Sequence, residues 1–278
     1  MSVDPALRTL EIDLPARPQA LVELSLLMAE EPQHPQRIAE RVASDMALAS
    51  AVMRAVNSAL YGLHGRVQTV HQAVLYLGSS ELLGIAYEIG LRAAFPSTAE
   101  LEPIWRRATL RGVLMGRLAG LLDLERWSAH SAGLFEECGK AALVRHAPAH
   151  YPAMLRASQN DDAQLCQIER TGFGVSHDAL GAALCESWGL AGTAVCSVRH
   201  HVQAVQTREL PVAPPRRGVL ALSVLAATLM ERPEDIDEVA LALAGPAGLE
   251  PTLLLRSCRK LAEQQIWQSA RRHPTPDA

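Results

Sequence analysis

Apolar residues recur at helical spacing along almost the whole chain. That periodicity predicts amphipathic helices, not strands. Between Arg17 and Glu30 it places Leu21, Leu24, Leu27 and Met28 on one face, with Pro18 in the first turn, where a missing N–H costs little. "HPQRIAERVAS" repeats the arrangement with Pro35 near its start. "SDMALASAVMRAVNSALYG" offers Ser44 or Asp45 as an N-cap and Gly62 as a stop. "TVHQAVLYLG" and "SSELLGIAYEIGLRAAF" follow, divided at Gly78 and Ser79, and Pro96 closes an N-terminal lobe.

A second lobe opens with the long helix "LEPIWRRATLRGVLMGRLAGLL", expected to join the two lobes. "WSAHSAGLFEECGKAALVRH" reads as one continuous, strongly apolar helix, followed by four shorter ones ending in "AGTAVCSVRHHV". Gln206 to Gly218 holds three prolines and little periodicity, so it reads as a loop. Further helices are expected over Val219–Glu231, about Ile236–Leu243 and Thr252–Ala270, before a disordered tail from Arg271 to Ala278. The predicted fold is all-α, in two helical lobes with a C-terminal helical extension. The expected boundaries are 1–13 for an N-terminal segment, 14–97 and 98–205 for the lobes, 206–218 for the loop and 219–270 for the extension.

Composition agrees. Of the 278 residues, 49% are hydrophobic and only 4% aromatic, and the dominance of Ala and Leu favours helix over strand. The net charge of −4 gives no electrostatic footprint for nucleic acid. No signal peptide or membrane span is read, and five scattered cysteines without a C-x-x-C pair fit a reducing cytoplasm. No cofactor motif is present: neither a phosphate loop nor a dinucleotide fingerprint occurs.

Candidate chemistry is sparse. Cys138 lies on an apolar helix and reads as a buried structural thiol. Arg107 and Arg111, four residues apart, share a face and either clamp a phosphate or solvate the helix, the second being favoured. Glu136 and Glu137 are adjacent. On a continuous helix they point about 100° apart, one toward the interior and one toward solvent. His177 opens a helix, and His200 and His201 close another, where the helix dipole favours imidazolium; all three are also possible metal or ligand contacts.

The order of these segments resembles the HD-related output domain family, HDOD, from Leu14 to Val205. The most specific piece is "SDMALASAVMRAVNSALYG", similar to the family's "SDPxLxxxLLRxxNSxxYG". The second lobe adds "IWRRATLRGVLMGRLA", "SAGLFEECGKAALV", "TGFGVSHDALGAALCESWGL" and "VRHHV". The resemblance implies kinship with HD metal phosphohydrolases, whose metal ions activate water against a phosphoester. In that register Glu136 and Glu137 stand where the family's "LLHDIGK" has histidine and aspartate, while Gly139 and Lys140 are kept. Arg107 stands at the histidine of "WRHS"; His177 matches that of "DHAEVG", and His200 and His201 match "YHH". An arginine has no lone pair to offer a metal, so the resemblance implies no catalytic residues and no bound metal. An ion pair from Arg107 to Glu136 or Glu137 is expected in its place.

The function implied by the resemblance is a non-catalytic bacterial signalling or output module that acts through a protein partner. No receiver, kinase or cyclase motif accompanies it, so input or output is expected from that partner. Asn57, Ser58, Tyr61 and Gly62 are its candidate docking residues, though Asn57 serves equally as a helix cap. Two alternatives remain: a sensor taking a nucleotide or phosphate between Arg107, Lys140, His177 and His200, and a divergent phosphohydrolase with Glu136, Glu137, His177, His200 and His201 as ligands.

Overall fold

The computed structural model describes residues 12, 14–29, 34–58, 60–61 and 66–272. All regular structure among them is helical, with no strand. No helix among them is long and apolar enough to cross a membrane. The chain divides into two compact units, one of Arg17–Ala94 with the residues from Lys260, the other of Phe95–Arg259 with those up to Ala16.

The smaller unit carries α1 (Gln19–Ala29), α2 (Pro35–Ala43), α3 (Met46–Val56), α4 (Val70–Leu77) and α5 (Ser79–Ala93). Its core comes from the apolar stripes: Leu21 and Leu24 of α1, Ile38 and Val42 of α2, Val52 and Val56 of α3 are all essentially inaccessible to solvent. Asp45 caps α3 by accepting from the Leu48 N–H at 3.0 Å, and Thr69 caps α4 through Gln72 at 3.1 Å. α3 stops at Val56, well before Gly62, because Asn57 takes over as its C-cap. Gly62 lies outside the described residues.

The larger unit holds α6 (Leu101–Leu121), α7 (Arg126–Phe135), α8 (Cys138–His146), α9 (Tyr151–Ala157), α10 (Asp162–Phe173), α11 (His177–Ser187), α12 (Gly192–Thr207), α13 (Pro214–Glu231), α14 (Ile236–Ala247) and the start of α15 (Pro251–Arg272). α6, expected to join the lobes, lies wholly inside this unit. Four sequence expectations need correction here. The apolar helix over residues 127–146 is two helices, broken by a turn at Glu136 and Glu137. α12 does not end at the paired histidines; Val202 and Ala204 continue its buried stripe, and left-handed Arg208 ends it. Pro214 to Gly218, read as loop, form the start of α13, because prolines at the first two helical positions lack N–H groups that would be unsatisfied there anyway. Arg271 and Arg272, read as tail, still belong to α15, and residues 273–278 lie outside the described set.

Two close helix contacts set the geometry of the centre. At Gly133 of α7 an added Cβ would come within 2.8 Å of the α6 backbone at Arg111 and Gly112. At Gly139 of α8 it would lie 1.9 Å from the His177 carbonyl oxygen on α11. Backbone cannot yield as a flexible side chain can. Gly139→Ala is therefore expected to lower stability by about 3 kcal/mol, read as a lower urea midpoint at unchanged slope.

Candidate functional site

The break between α7 and α8 turns both acidic side chains inward. Glu136 and Glu137 are each 0% exposed, so neither faces solvent as a continuous helix would require. Burying a carboxylate is costly unless it is paired and hydrogen-bonded, and each is. Glu136 takes the Arg111 guanidinium at 2.6 Å. It also accepts from Ser197 Oγ of α12 at 3.0 Å and from Ser223 Oγ of α13 at 2.9 Å. Glu137 meets Lys140 Nζ at 2.9 Å, Arg107 Nε at 3.3 Å and Arg111 Nε at 3.7 Å. Arg107 thus pairs with Glu137. Arg111, read as a solvating residue, is 1% exposed and is the cation of Glu136.

Asp162, the first residue of α10, extends the network. Its carboxylate sits 2.7 Å from Lys140 Nζ and 4.0 Å from Arg107. Arg107 also reaches Glu231 of α13 at 2.9 Å. Three cations, Arg107, Arg111 and Lys140, therefore balance three buried or half-buried acids, Glu136, Glu137 and Asp162. Burial opposes charge on Glu137, but Lys140, then Arg107 and Arg111, outweigh it and hold the carboxyl at about 2. Asp162 is likewise held below the usual range, burial being outweighed chiefly by Lys140.

A second buried cluster lies around His177. Glu169 of α10 accepts the His177 backbone N–H at 2.7 Å and bonds its Nδ1 at 2.8 Å. The Tyr151 hydroxyl donates to the other Glu169 oxygen. Burial works against a charged His177, yet Glu169 raises its pKa well above the usual value. Asp178 anchors the same turn through Ser176 and through Arg199 at 2.6 Å. His201 Nδ1 donates to the Val198 carbonyl at 2.8 Å, and burial lowers its pKa. The rings of His177 and His201 meet edge to face with centroids 5.7 Å apart. His200 is half-exposed and does not join them.

Of the docking candidates, Asn57 is engaged locally. Its Nδ2 donates to the Met53 and Val67 carbonyls at 3.0 and 2.9 Å, tying the end of α3 to the segment before α4. Ser58 and Tyr61 are half-buried. Cys138 is buried, donates to the Leu134 carbonyl at 3.3 Å, and has its thiol pKa pushed up by burial.

The HDOD domain model matches residues 14–204. The chain belongs to the HDOD family. Solved structures agree on the fold. An HDOD domain protein of unknown function from Geobacter sulfurreducens matches at 16% identity and TM-score 0.72, over 95% of this chain and 94% of that one. A candidate phosphohydrolase from Shewanella amazonensis matches at 19% identity and TM-score 0.70, over 96% and 97%. A candidate signal transduction protein from Marinobacter aquaeolei matches at 22% identity and TM-score 0.72, over 95% of this chain and 63% of that one. An uncharacterized Treponema pallidum protein is 26% identical over 267 residues, and the chain spans 48% of its length.

The HDOD register raises the question of a metal at Glu136, Glu137 and Arg107. These residues do not fit one. A divalent ion there would have to displace two guanidinium groups, an ammonium and two hydroxyl donors, and Arg107 has no lone pair to give. Sequence reasoning missed Asp162, Glu169, Ser197 and Ser223, and misread Arg111. Asp162 beside Asn160 and Asp161 gave only a helix-start signal; Ser197 and Ser223 gave none.

Two outcomes follow. Arg111→Leu leaves Glu136 buried without its cation, so stability is expected to fall by about 3–5 kcal/mol in denaturant titration. The depressed Glu137 pKa adds stability above its unfolded value, lost as pH falls toward about 2. Glu137→Gln is therefore expected to shrink the stability difference between about pH 7 and about pH 3, measured by urea unfolding at both.

Proposed function

We propose that this chain is a signalling or output module that works through a protein partner and does not hydrolyse phosphoesters. The observation that carries the reading is the saturated centre: Arg107, Arg111 and Lys140 occupy the carboxylates at the motif positions where a catalytic metal would need them. A phosphohydrolase of this class needs a metal-bound water as nucleophile, and salt-bridged carboxylates cannot hold that metal without breaking buried pairs. HDOD membership and the fold shared with a candidate signal transduction protein fit the same reading.

The sensor alternative draws less support. A cavity of about 400 Å³ is lined by Arg107, Lys140, Glu137, Asp162, Ile104 and Leu155. It has room for a small ligand, but both of those cations already face acids, so a phosphate gains little unopposed positive charge there.

The test is a phosphatase and phosphodiesterase assay with nitrophenyl phosphate esters, run with magnesium, manganese, nickel and zinc in turn. No turnover above the metal blank is expected. Turnover that Glu137→Gln abolishes would overturn the reading. In parallel, in-cell cross-linking through residues of the smaller unit is expected to yield one reproducible protein partner. A thermal-shift series with cyclic and linear nucleotides is expected to leave the melting temperature unchanged.

A further inference from the structure

Large apolar side chains left mostly in solvent are few among the described residues: Leu26, Met46, Leu75, Tyr76 and Leu241. Three of these five, Met46, Leu75 and Tyr76, belong to α3 and α4, where they are 86%, 84% and 60% exposed. A single exposed leucine needs no explanation, whereas a group of neighbours does. These two helices are neighbours. Asn57 ties the end of α3 to Val67, just before α4, and both helices pack on α5 as well as on each other.

Helical spacing gathers the exposed residues into faces. On α3, Leu48, Val52 and Val56 are buried four residues apart, and Met46, Ser50 and Arg54 form the exposed row opposite. On α4, Val70, Ala73 and Val74 turn inward, while His71, Leu75 and Tyr76 are exposed. Each helix buries its inner side against the core that α5 completes, so both outer rows look away from it. Charge on this surface has one sign. Arg54 and Arg66 are exposed and join no ion pair among the described residues. The only acid between residues 45 and 77 is Asp45, whose carboxylate is spent on capping α3. Met, Tyr and Arg are the residue types that protein interfaces favour.

We propose that the outer face of α3 and α4 docks an amphipathic helix of a partner protein, one that carries acidic residues beside its apolar row. The inference rests on the module reading above and adds the surface and the partner's chemistry. Two packed helices offer the groove in which such a helix lies. Met46, Leu75 and Tyr76 take its apolar row, Met46 adapting through its flexible thioether chain, and Arg54 and Arg66 meet its carboxylates. A second copy of this chain fits less well, because a two-fold contact would set one basic face against another. Two cations are also too few for a nucleic acid, which is held through about 6–10 phosphate contacts.

The experiment places a photo-cross-linking amino acid at Met46, Leu75 or Tyr76 of the full chain in cells, with Leu241 as the control position. The cross-linked peptides are sequenced by mass spectrometry. The three positions are expected to yield one segment of another protein, acidic and with apolar residues three and four apart, and Leu241 is expected not to yield it. A synthetic copy of that segment is then titrated by fluorescence anisotropy. Arg54→Glu combined with Arg66→Glu, and Tyr76→Ala alone, are each expected to weaken binding by ~10-fold or more, and added salt is expected to weaken it further. These side chains are exposed, and an unchanged melting temperature checks that the variants fold. Adducts with the chain itself, a segment without acids, or an affinity that the double charge reversal leaves intact would overturn the inference. A partner cross-linked only through other surfaces would overturn it while sparing the module reading, and no partner through any surface would sink both.

Discussion

Two neighbouring carboxylates cannot both enter a dry helical core as anions unless cations follow them. That constraint organises the larger unit. Glu136 and Glu137 face inward because the chain breaks between α7 and α8, and the break is useful only because Arg111 and Arg107 arrive from α6 and Lys140 from α8. The near approach of α7 to α6 at Gly133 and of α8 to α11 at Gly139 is the steric side of the same arrangement. The α6–α7 approach is what keeps Arg111 within reach of Glu136.

Such a network is no proof of added stability. A buried ion pair recovers its desolvation cost only when the remaining donors and acceptors are also satisfied. Glu136 meets that condition, with one guanidinium and two hydroxyl donors. The pair around His177 meets it on one side only: Glu169 is fully used by Tyr151, the His177 amide and the His177 ring, while the opposite ring nitrogen is left over.

The helical fold was legible because periodicity and capping are local. Asp45 and Pro35 act where their spacing said they would. The family was legible because motif order survives when individual residues change. The centre was harder. Arg111 looked like any helix-face arginine, since nothing local tells a buried guanidinium from a solvated one. The turn at Glu136 and Glu137 left no mark of its own, since neither glycine nor proline stands there and apolar residues flank the pair on both sides, Leu134 and Phe135 before it and Cys138 after. The proline-rich stretch misled for a definable reason: Pro214 and Pro215 punctuate the sequence and also start a helix.

Ser223 carries a consequence for how the unit is delimited. It lies nineteen positions past the end of the segment that carries the family's signature, on a helix whose face is buried from Val219 to Leu229. Heredity and mechanics therefore draw different borders. A fragment cut at the signature's edge would keep every motif, yet it would take a hydroxyl from the buried carboxylate and bare a strip of aliphatic surface. What is recognisable as a domain in this chain is smaller than what can stand up by itself.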